Sequence, residues 1–404
     1  MKVLLVTQYF FPENFKSNDI AFELSKKGYN VDVLCGIPNY PQGKYYKGYN
    51  LFKRRIERIN GVNIYRVFQT PRGNNNFSLA LNYLSFVISG CIWVLFFFLY
   101  KKYDSVIVHA TSPITQSIPA VFLCKIKKIP LYLWVLDLWP DALRSGGGFK
   151  DGIFLNLINK LVIYIYENSN KILISSKGFM ESICEKKDFK DKIIYFPNWS
   201  EDVFLANEEY QVPKLPEGFK IILAGNLGKS QNLDSIMAAA LLTKNDLNIK
   251  WILIGDGSKK MWLDDFILKH DLSNTVYALG RYPLEAMPAF YKQANAMLVS
   301  LRSDFPHLKL VVPARLQSYM AAGRPILGLI EGGGAEIIRD SNCGYVVDST
   351  DYKSLVDIIY EKVLVNLTEF EKKGRNGREY FMKNFSKEKC IDSLISIFHN
   401  CYSQ

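Results

Sequence analysis

Residues 305–348 read FPHLKLVVPARLQSYMAAGRPILGLIEGGGAEIIRDSNCGYVVD, a succession of helix, strand, glycine turn and helix. Pro313 suits a first helical position, Leu316, Tyr319 and Met320 recur on one face, and Gly323 and Pro325 end the helix. No Ser, Thr, Asp or Asn stands just before that start, so the amides of Ala314, Arg315 and Leu316 lack the usual side-chain acceptor. Arg315, in the first turn, also opposes the helix dipole. A phosphate at the helix start would satisfy both oddities; water-capped amides and an exposed arginine are the plainer alternative. Strand Ile326 to Ile330 then runs into Gly332, Gly333 and Gly334, whose backbone entropy a simple turn does not require. Glu336, in the helix opened by Ala335 and Glu336, is placed either to accept hydrogen bonds from sugar hydroxyls or only to favour a helix N-terminus.

Upstream, the same alternation starts at FKIILA (219–224) and continues through Asp234 to Leu242, Ile249 to Ile254, Lys259 to His270, Thr275 to Leu279, Leu284 to Gln293 and Ala296 to Leu301. Such alternation means a parallel sheet covered on both faces. The turn Gly225-Asn226-Leu227-Gly228-Lys229-Ser230 sits between strand and helix, where glycine lets amides approach a phosphate. Its GKS invites a nucleoside-triphosphatase P-loop, which requires glycine at 223; Leu223 stands there, making an ATPase the weaker alternative. Lys229, Arg281, Lys309 and Arg315 would bring cations from several strand ends to a departing diphosphate, although each singly also reads as a solvated surface charge.

A comparable βαβ series fills the first 200 residues. Strand Lys2 to Thr7, helix Asp19 to Lys27 and strand Val31 to Leu34 open it, without GxGxxG after the first strand, which weakens a dinucleotide oxidoreductase. Strand Val62 to Val67 precedes the uncharged segment LALNYLSFVISGCIWVLFFFLY (79–100). Length alone permits a membrane span. Because DSVIVHATSP then reads as a further strand of the same sheet, the expectation is a crossover helix dipping into an anionic membrane surface, with a buried helix and a spanning one as alternatives. Asp137 and Asp141 in DLWPD follow a buried strand; Asp137 is either a base or orienter for an acceptor hydroxyl, or the cap of the next turn. His109 is a third candidate with a structural reading beside it. Residues 198–218, with Pro213 and Pro216 and no periodicity, read as the linker.

A chain of 404 residues predicts two domains, and 49% hydrophobic with 22% charged residues excludes disorder. The net charge of +11 favours an anionic partner. Seven scattered cysteines and four histidines argue against a zinc site or a disulfide framework and suit a reducing compartment. MKVLLVTQYFFPENF begins as a strand, so no signal peptide is expected.

VTQYFFPE, GIPNYPQGKYYKGY, DLWPD, FPNW, AGNLGKSQNLDSI, IGDG, VPARLQSYMAAGRPIL and GGGAEII, in this order, resemble glycosyltransferase family 4, in particular its bacterial surface-polysaccharide branch with N-acetyl-L-fucosamine transferases. The resemblance implies the GT-B fold: two α/β, Rossmann-like domains facing a cleft, with a C-terminal helix crossing back to the first. The expected boundaries are 1–200 for the acceptor domain, 201–384 for the donor domain and 385–404 for the returning helix. It implies a retaining, metal-independent transfer from a UDP-sugar, with no cofactor, to an undecaprenyl-diphosphate-linked saccharide at the cytoplasmic face of the bacterial inner membrane, and no nucleic-acid partner. Asp137, Arg281 and Arg315 are the catalytic candidates. Donor contact falls to Gly225, Asn226, Gly228, Lys229, Gly255, Asp256, Gly257, Gly280, Lys309, Pro313, Gly333, Gly334, Ala335 and Glu336, and acceptor contact to Asn39, Tyr40 and Asp141. The sequence departs from the broad family pattern at Leu310 and Ser318, where paired glutamates are usual, at Asn226 and Gln231, where an arginine and a lysine are, and at Thr111, near the usual place of a histidine. A UDP-sugar 2-epimerase and a non-catalytic nucleotide-sugar-binding partner remain the other classes.

Overall fold

The structure, a computed structural model, describes residues 1–400 apart from 74, 148–151 and 207–208. It divides into two units, one of Met1–Phe196 with the chain from Ile391 onward and one of Pro197–Cys390.

In the first unit β1 (Lys2–Val6), α1 (Lys16–Lys26) and β2 (Asn30–Gly36) open the chain, followed by β3 (Ile56–Ile59), β4 (Val62–Val67) and α2 (Asn76–Trp93). Next come β5 (Ser105–Ala110), α3 (Ile118–Lys127), β6 (Leu131–Val135), α4 (Asp141–Gly147), α5 (Ile153–Glu167), β7 (Lys171–Ile174), α6 (Phe179–Lys186) and β8 (Ile193–Tyr195). The strands form one sheet in the order β3-β4-β2-β1-β5-β6-β7-β8, parallel except for the β3–β4 pair. Central strands β5 and β6 are buried at every residue, which is why SVIVHA and LYLWV are apolar on both faces. The β3–β4 hairpin turns on Asn60 and Gly61, both at positive φ (49° and 82°), the geometry that fits an Asn-Gly pair to twisted strands. Residues 56–59, which the sequence reading leaves unassigned, are thus a strand, and DALRSGG is helix α4.

Helix α2 starts three residues earlier than expected, because the Asn75 side chain accepts the Ser78 amide at 2.8 Å. It runs on through a wider turn, Val94–Phe98. Asn82, Phe86, Gly90, Val94 and Phe98 recur every fourth residue on its buried side. Gly90 lies so close to α3 that a β-carbon there would sit 2.7 Å from Pro119 Cγ.

The second unit holds β9 (Phe219–Ala224), α7 (Leu233–Leu242), β10 (Ile249–Ile254), α8 (Lys260–Lys269), β11 (Val276–Gly280), α9 (Met287–Gln293) and β12 (Ala296–Ser300). After these come α10 (Pro306–Leu310), α11 (Ala314–Ala321), β13 (Ile326–Leu329), α12 (Gly333–Asp340), β14 (Gly344–Val347), α13 (Tyr352–Ile358) and α14 (Leu367–Asn384). Its sheet has the order β11-β10-β9-β12-β13-β14, and every pair is parallel. Alternate residues supply separate cores: Ile222, Ile252 and Ile254 pack with Phe290 and Leu316, whereas Ile221, Leu223, Trp251 and Leu253 pack with Ile236 and Leu263. At about 1.5–3 kcal/mol for each large apolar side chain buried, these two layers dominate the unit's stability.

The last helix, α15 (Lys387–Asn400), begins with the second unit, where Lys387 pairs with Asp202, and ends on the first. There Asp392 pairs with Lys27 at 2.8 Å, His399 meets the Tyr29 hydroxyl at 2.9 Å, and Phe398 packs edge-on against Tyr132.

Candidate functional site

Strand order reverses direction between β9 and β12, and ligands of open parallel sheets bind at the strand ends beside such a point. The β9–β12 ladder pairs only Ala296 with Ile221 and Met297 with Ile222, so the two strands part before β9 ends. At the parted end the Tyr319 hydroxyl replaces the missing ladder: it accepts the Ala224 amide at 2.9 Å and donates to the Ala224 carbonyl at 3.2 Å.

Three glycines end the neighbouring strands: Gly225 (φ +126°), Gly255 (φ +147°) and Gly280 (φ +77°). Backbone bonds lock them in a row, Gly225 N to Ile254 O at 2.8 Å and Gly255 N to Gly280 O at 2.7 Å. A β-carbon on Gly255 would stand 1.8 Å from the Gly225 carbonyl oxygen, so this position tolerates no side chain. A β-carbon on Gly257 would stand 2.6 Å from Asn226 Oδ1 and from the Leu227 carbonyl carbon, and Asp256 spends its Oδ1 on the Gly257 amide at 2.7 Å. Asp256 therefore shapes the turn. Gly228 precedes a single 3-10 turn at Lys229–Gln231, which leaves the Lys229 side chain exposed.

Arg315 reaches this row from the first turn of α11. Its Nη2 donates to the Asn226 carbonyl at 3.3 Å and lies 3.2 Å from where a Gly225 β-carbon would be, while its Nη1 is buried without any hydrogen-bond partner. Among the described residues no carboxylate pairs with it. Pro313 is the residue before the helix rather than its first residue (φ −63°, ψ 129°), and no side chain caps the start. Arg281 and Lys229 are likewise exposed without a carboxylate partner among the described residues.

Lys309 differs from these cations. It pairs with Glu331 at 2.6 Å, and together with Ser303 and Ser349 it holds that carboxyl below the usual range. The Lys309 carbonyl oxygen would lie 1.9 Å from a β-carbon on Gly332 (φ +63°), and Pro313 Cδ would lie 3.3 Å from one on Gly334. The glycine run thus exists because the 306–313 segment is pressed against it. Helix α12 begins at Gly333, so Gly333, Gly334 and Ala335 present first-turn amides, and the Glu336 side chain is exposed.

In the first unit Asp137 Oδ2 accepts the Ser112 amide at 3.1 Å and its hydroxyl at 2.8 Å, and Ser112 Oγ in turn accepts from Trp139 Nε1 at 3.1 Å. Asp141 pairs with Arg144 and stands 3.9 Å from Lys186. Asn39 is fully buried and ties its own loop: Nδ2 donates to Ile37 O at 2.9 Å and Oδ1 accepts the Arg72 amide at 2.8 Å. Tyr40, by contrast, is 37% exposed, with its ring against Tyr9 and Phe15. His109 is buried with both ring nitrogens unpartnered, and burial pushes it down to about 3, so it is neutral near pH 7.

Sequence reasoning missed Glu13, which is buried beneath this loop. Its Oε1 accepts the amides of Asn39 (2.7 Å) and Tyr40 (2.6 Å), its Oε2 accepts that of Phe10 (3.2 Å), and burial pushes its carboxyl up to about 7. It also missed Tyr319 and Glu331. Only the glutamate in FFPEN, an acid inside an aromatic run, carried a signal.

Residues 207–380 match the family model of glycosyl transferases group 1. Over 348 residues the chain is 25% identical to a probable glycosyltransferase, WbjE, of Pseudomonas aeruginosa, covering 81% of this chain and 84% of that one. It is 24% identical over 343 residues to the putative colanic acid biosynthesis glycosyl transferase WcaI of Escherichia coli, covering 80% and 82%. Its fold is similar to that of Anabaena HepE in complex with UDP, with a TM-score of 0.71, 12% identity and coverage of 99% and 100%.

Proposed function

We propose that this chain, a nucleotide-sugar-dependent glycosyltransferase with the GT-B fold, acts as a member of glycosyltransferase group 1 (family 4) and moves a sugar from a UDP-sugar to a hydroxyl of a lipid-linked saccharide, with the anomeric configuration retained. N-acetyl-L-fucosamine is the first donor sugar to test, and capsule or O-antigen synthesis is the setting. The similarity to WcaI, named for colanic acid biosynthesis, and the fold shared with a UDP complex support this reading.

The observation that carries it is the buried, unpartnered Nη1 of Arg315 beside a row of strand-end glycines. As the glycosidic bond to the donor breaks, negative charge gathers on the departing diphosphate. Cations and amides held ready for that charge lower the barrier, and they act most strongly where water is excluded. Arg315 would supply the fixed cation, with Arg281 and Lys229 closing from the exposed side and the first-turn amides of α12 as further donors. Glu336 would accept hydrogen bonds from the donor sugar. Asp137 would orient the acceptor hydroxyl through the oxygen that Ser112 leaves open.

The lipid-linked acceptor implies a membrane. Phe77, Leu81, Leu84, Ile88, Ile92 and Phe96 recur on one side of α2 and its last turn and are 44–78% exposed. Lys53, Arg54 and Lys102 are exposed, and Arg55 lies over the Trp93 ring at 5.5 Å, so basic groups border the apolar strip. The strands before and after α2 belong to one sheet, which a spanning helix would divide across the bilayer. The reading is accordingly a monotopic contact with the anionic cytoplasmic face.

The test is incubation of purified protein with a panel of UDP-sugars and an undecaprenyl-diphosphate-linked acceptor. Transfer and a UDP-induced rise in melting temperature are expected; the absence of both would overturn the proposal.

A further inference from the structure

Arg72, in the segment that links β4 to α2, is a half-buried cation with unusual company. Its Nη1 lies 3.1 Å from the Tyr9 hydroxyl and 3.5 Å from the Tyr83 hydroxyl, and its guanidinium stands 5.5 Å from the centre of the Tyr40 ring. No carboxylate pairs with it among the described residues. The nearby acids are engaged elsewhere: Glu13 holds three backbone amides, and Asp137 holds Ser112. Tyrosine hydroxyls and an aromatic face solvate a guanidinium only in part, so a desolvated charge remains unneutralised.

We propose that Arg72, framed by Tyr9, Tyr40 and Tyr83, is the receptor for the phosphoryl group of a lipid-diphosphate acceptor. This rests on the transfer reading above. The planar fork of arginine matches two phosphate oxygens at once, and the Tyr83 hydroxyl can donate to a third, the Tyr9 hydroxyl being directed to Asn82 Oδ1 at 3.4 Å. The choice of a lipid follows from α2. Its Tyr83 lies within reach of Arg72, while Phe77, Leu81 and Leu84 of the same two turns are 78%, 44% and 56% exposed. One helix therefore offers an anion receptor on its inner side and an apolar strip on its outer side, the two needs of a phosphorylated amphiphile. The positioning is rigid: the Arg72 amide is tied to buried Asn39, and Asn82, the neighbour of Tyr83, accepts from Gln8 Nε2 at 2.7 Å.

The experiment uses the full chain saturated with UDP, so that the donor site is filled, and measures binding of farnesyl diphosphate, farnesol and inorganic diphosphate by calorimetry. Farnesyl diphosphate should bind, and Arg72→Gln, which keeps a hydrogen-bonding side chain but removes the charge, should weaken it 10-fold or more. Farnesol should be indifferent to the substitution. Inorganic diphosphate should bind more weakly than the prenyl form yet depend on Arg72 too. Equal affinity of inorganic and prenyl diphosphate would overturn the lipid assignment, and unchanged binding to Arg72→Gln would overturn the receptor. An unaltered UDP affinity and melting curve verify that the variant is folded, and Arg72→Lys, which restores charge without the fork, should recover part of the loss. In turnover, Arg72→Gln should raise KM for a lipid-diphosphate acceptor at least 10-fold and leave KM for an uncharged alkyl glycoside unchanged. If wild type turns over neither acceptor yet binds farnesyl diphosphate through Arg72, the transfer reading fails and the anion receptor stands.

Discussion

Arg315 and Asn226 meet where β9 has parted from β12: Arg315 Nη2 donates to the Asn226 carbonyl at 3.3 Å, and Nη1 of the same guanidinium is buried with no acceptor. Burying one edge of a guanidinium without an acceptor is unfavourable, so the free protein carries a local cost that an anionic ligand relieves. Gly225 lies against the same arginine: a β-carbon there would stand 3.2 Å from Arg315 Nη2 and press on it.

Arg315→Ala should therefore weaken UDP binding by roughly 1–3 kcal/mol, the range for a charge-assisted hydrogen bond to phosphate. That corresponds to about 5- to 150-fold in Kd. Stability of the ligand-free protein should stay level or rise, because the substitution removes an unpaired buried group. Calorimetry with UDP and a melting curve without it check both halves. An unchanged Kd would return Arg315 to a packing role.

Tyr319→Phe probes the parted ladder. The change keeps the buried ring but strips the Ala224 amide and carbonyl of their partner. Leaving such buried groups unsatisfied costs about 1–3 kcal/mol, which a urea titration will read as a lower midpoint at unchanged slope. UDP affinity should fall as well, since the Gly225 turn starts at the next residue. Wild-type stability in this variant would show that water replaces the hydroxyl.

Much of this architecture was legible in the chain because periodicity and punctuation agree: strand Ile249–Ile254 and the order of elements through 219–340 follow from alternation and glycine. The edge strand β3 escaped notice despite its Asn-Gly turn, because a partly exposed RIERI lacks the apolar run that marks a central strand. The pairing of Lys309 with Glu331 depends on helix α10 being pressed against the turn after β13, 22 residues on, and no local pattern carries that. Tyr319 read correctly as part of an apolar face, yet its hydroxyl does its work at a strand split that only the register reveals. Arg72 carries no signal in the sequence, since its three aromatic neighbours come from the loops after β1 and β2 and from α2 by folding alone.

Glu13 predicts a pH dependence of stability. Its carboxyl rises from 4.5 to about 7 on folding because burial outweighs the three amides that favour the anion. The folded state thus binds the proton more tightly than the unfolded one. The contribution is fully present below pH 4.5 and is lost as pH rises through about 7, an effect on the order of 3 kcal/mol. Melting temperatures of wild type should fall between pH 5 and 8 more steeply than those of Glu13→Gln, which does not titrate (about these pH values). Parallel curves would mean that Glu13 stays ionised throughout, held by the Asn39, Tyr40 and Phe10 amides.

Ile88→Glu tests the membrane contact. Ile88 lies mid-way along the apolar strip of α2 and is already 51% exposed, so a glutamate there meets water and the fold should hold. On a bilayer the same carboxylate would have to enter the acyl boundary while facing anionic headgroups, and both steps are unfavourable. Co-sedimentation with vesicles containing anionic lipid should drop sharply in the variant, with UDP binding untouched. Wild-type binding should itself weaken with salt, since the attraction of the exposed Lys53, Arg54 and Lys102 to anionic headgroups is screened by ions. Retained binding by Ile88→Glu, or binding indifferent to lipid charge, would assign the strip to a protein partner instead of a bilayer.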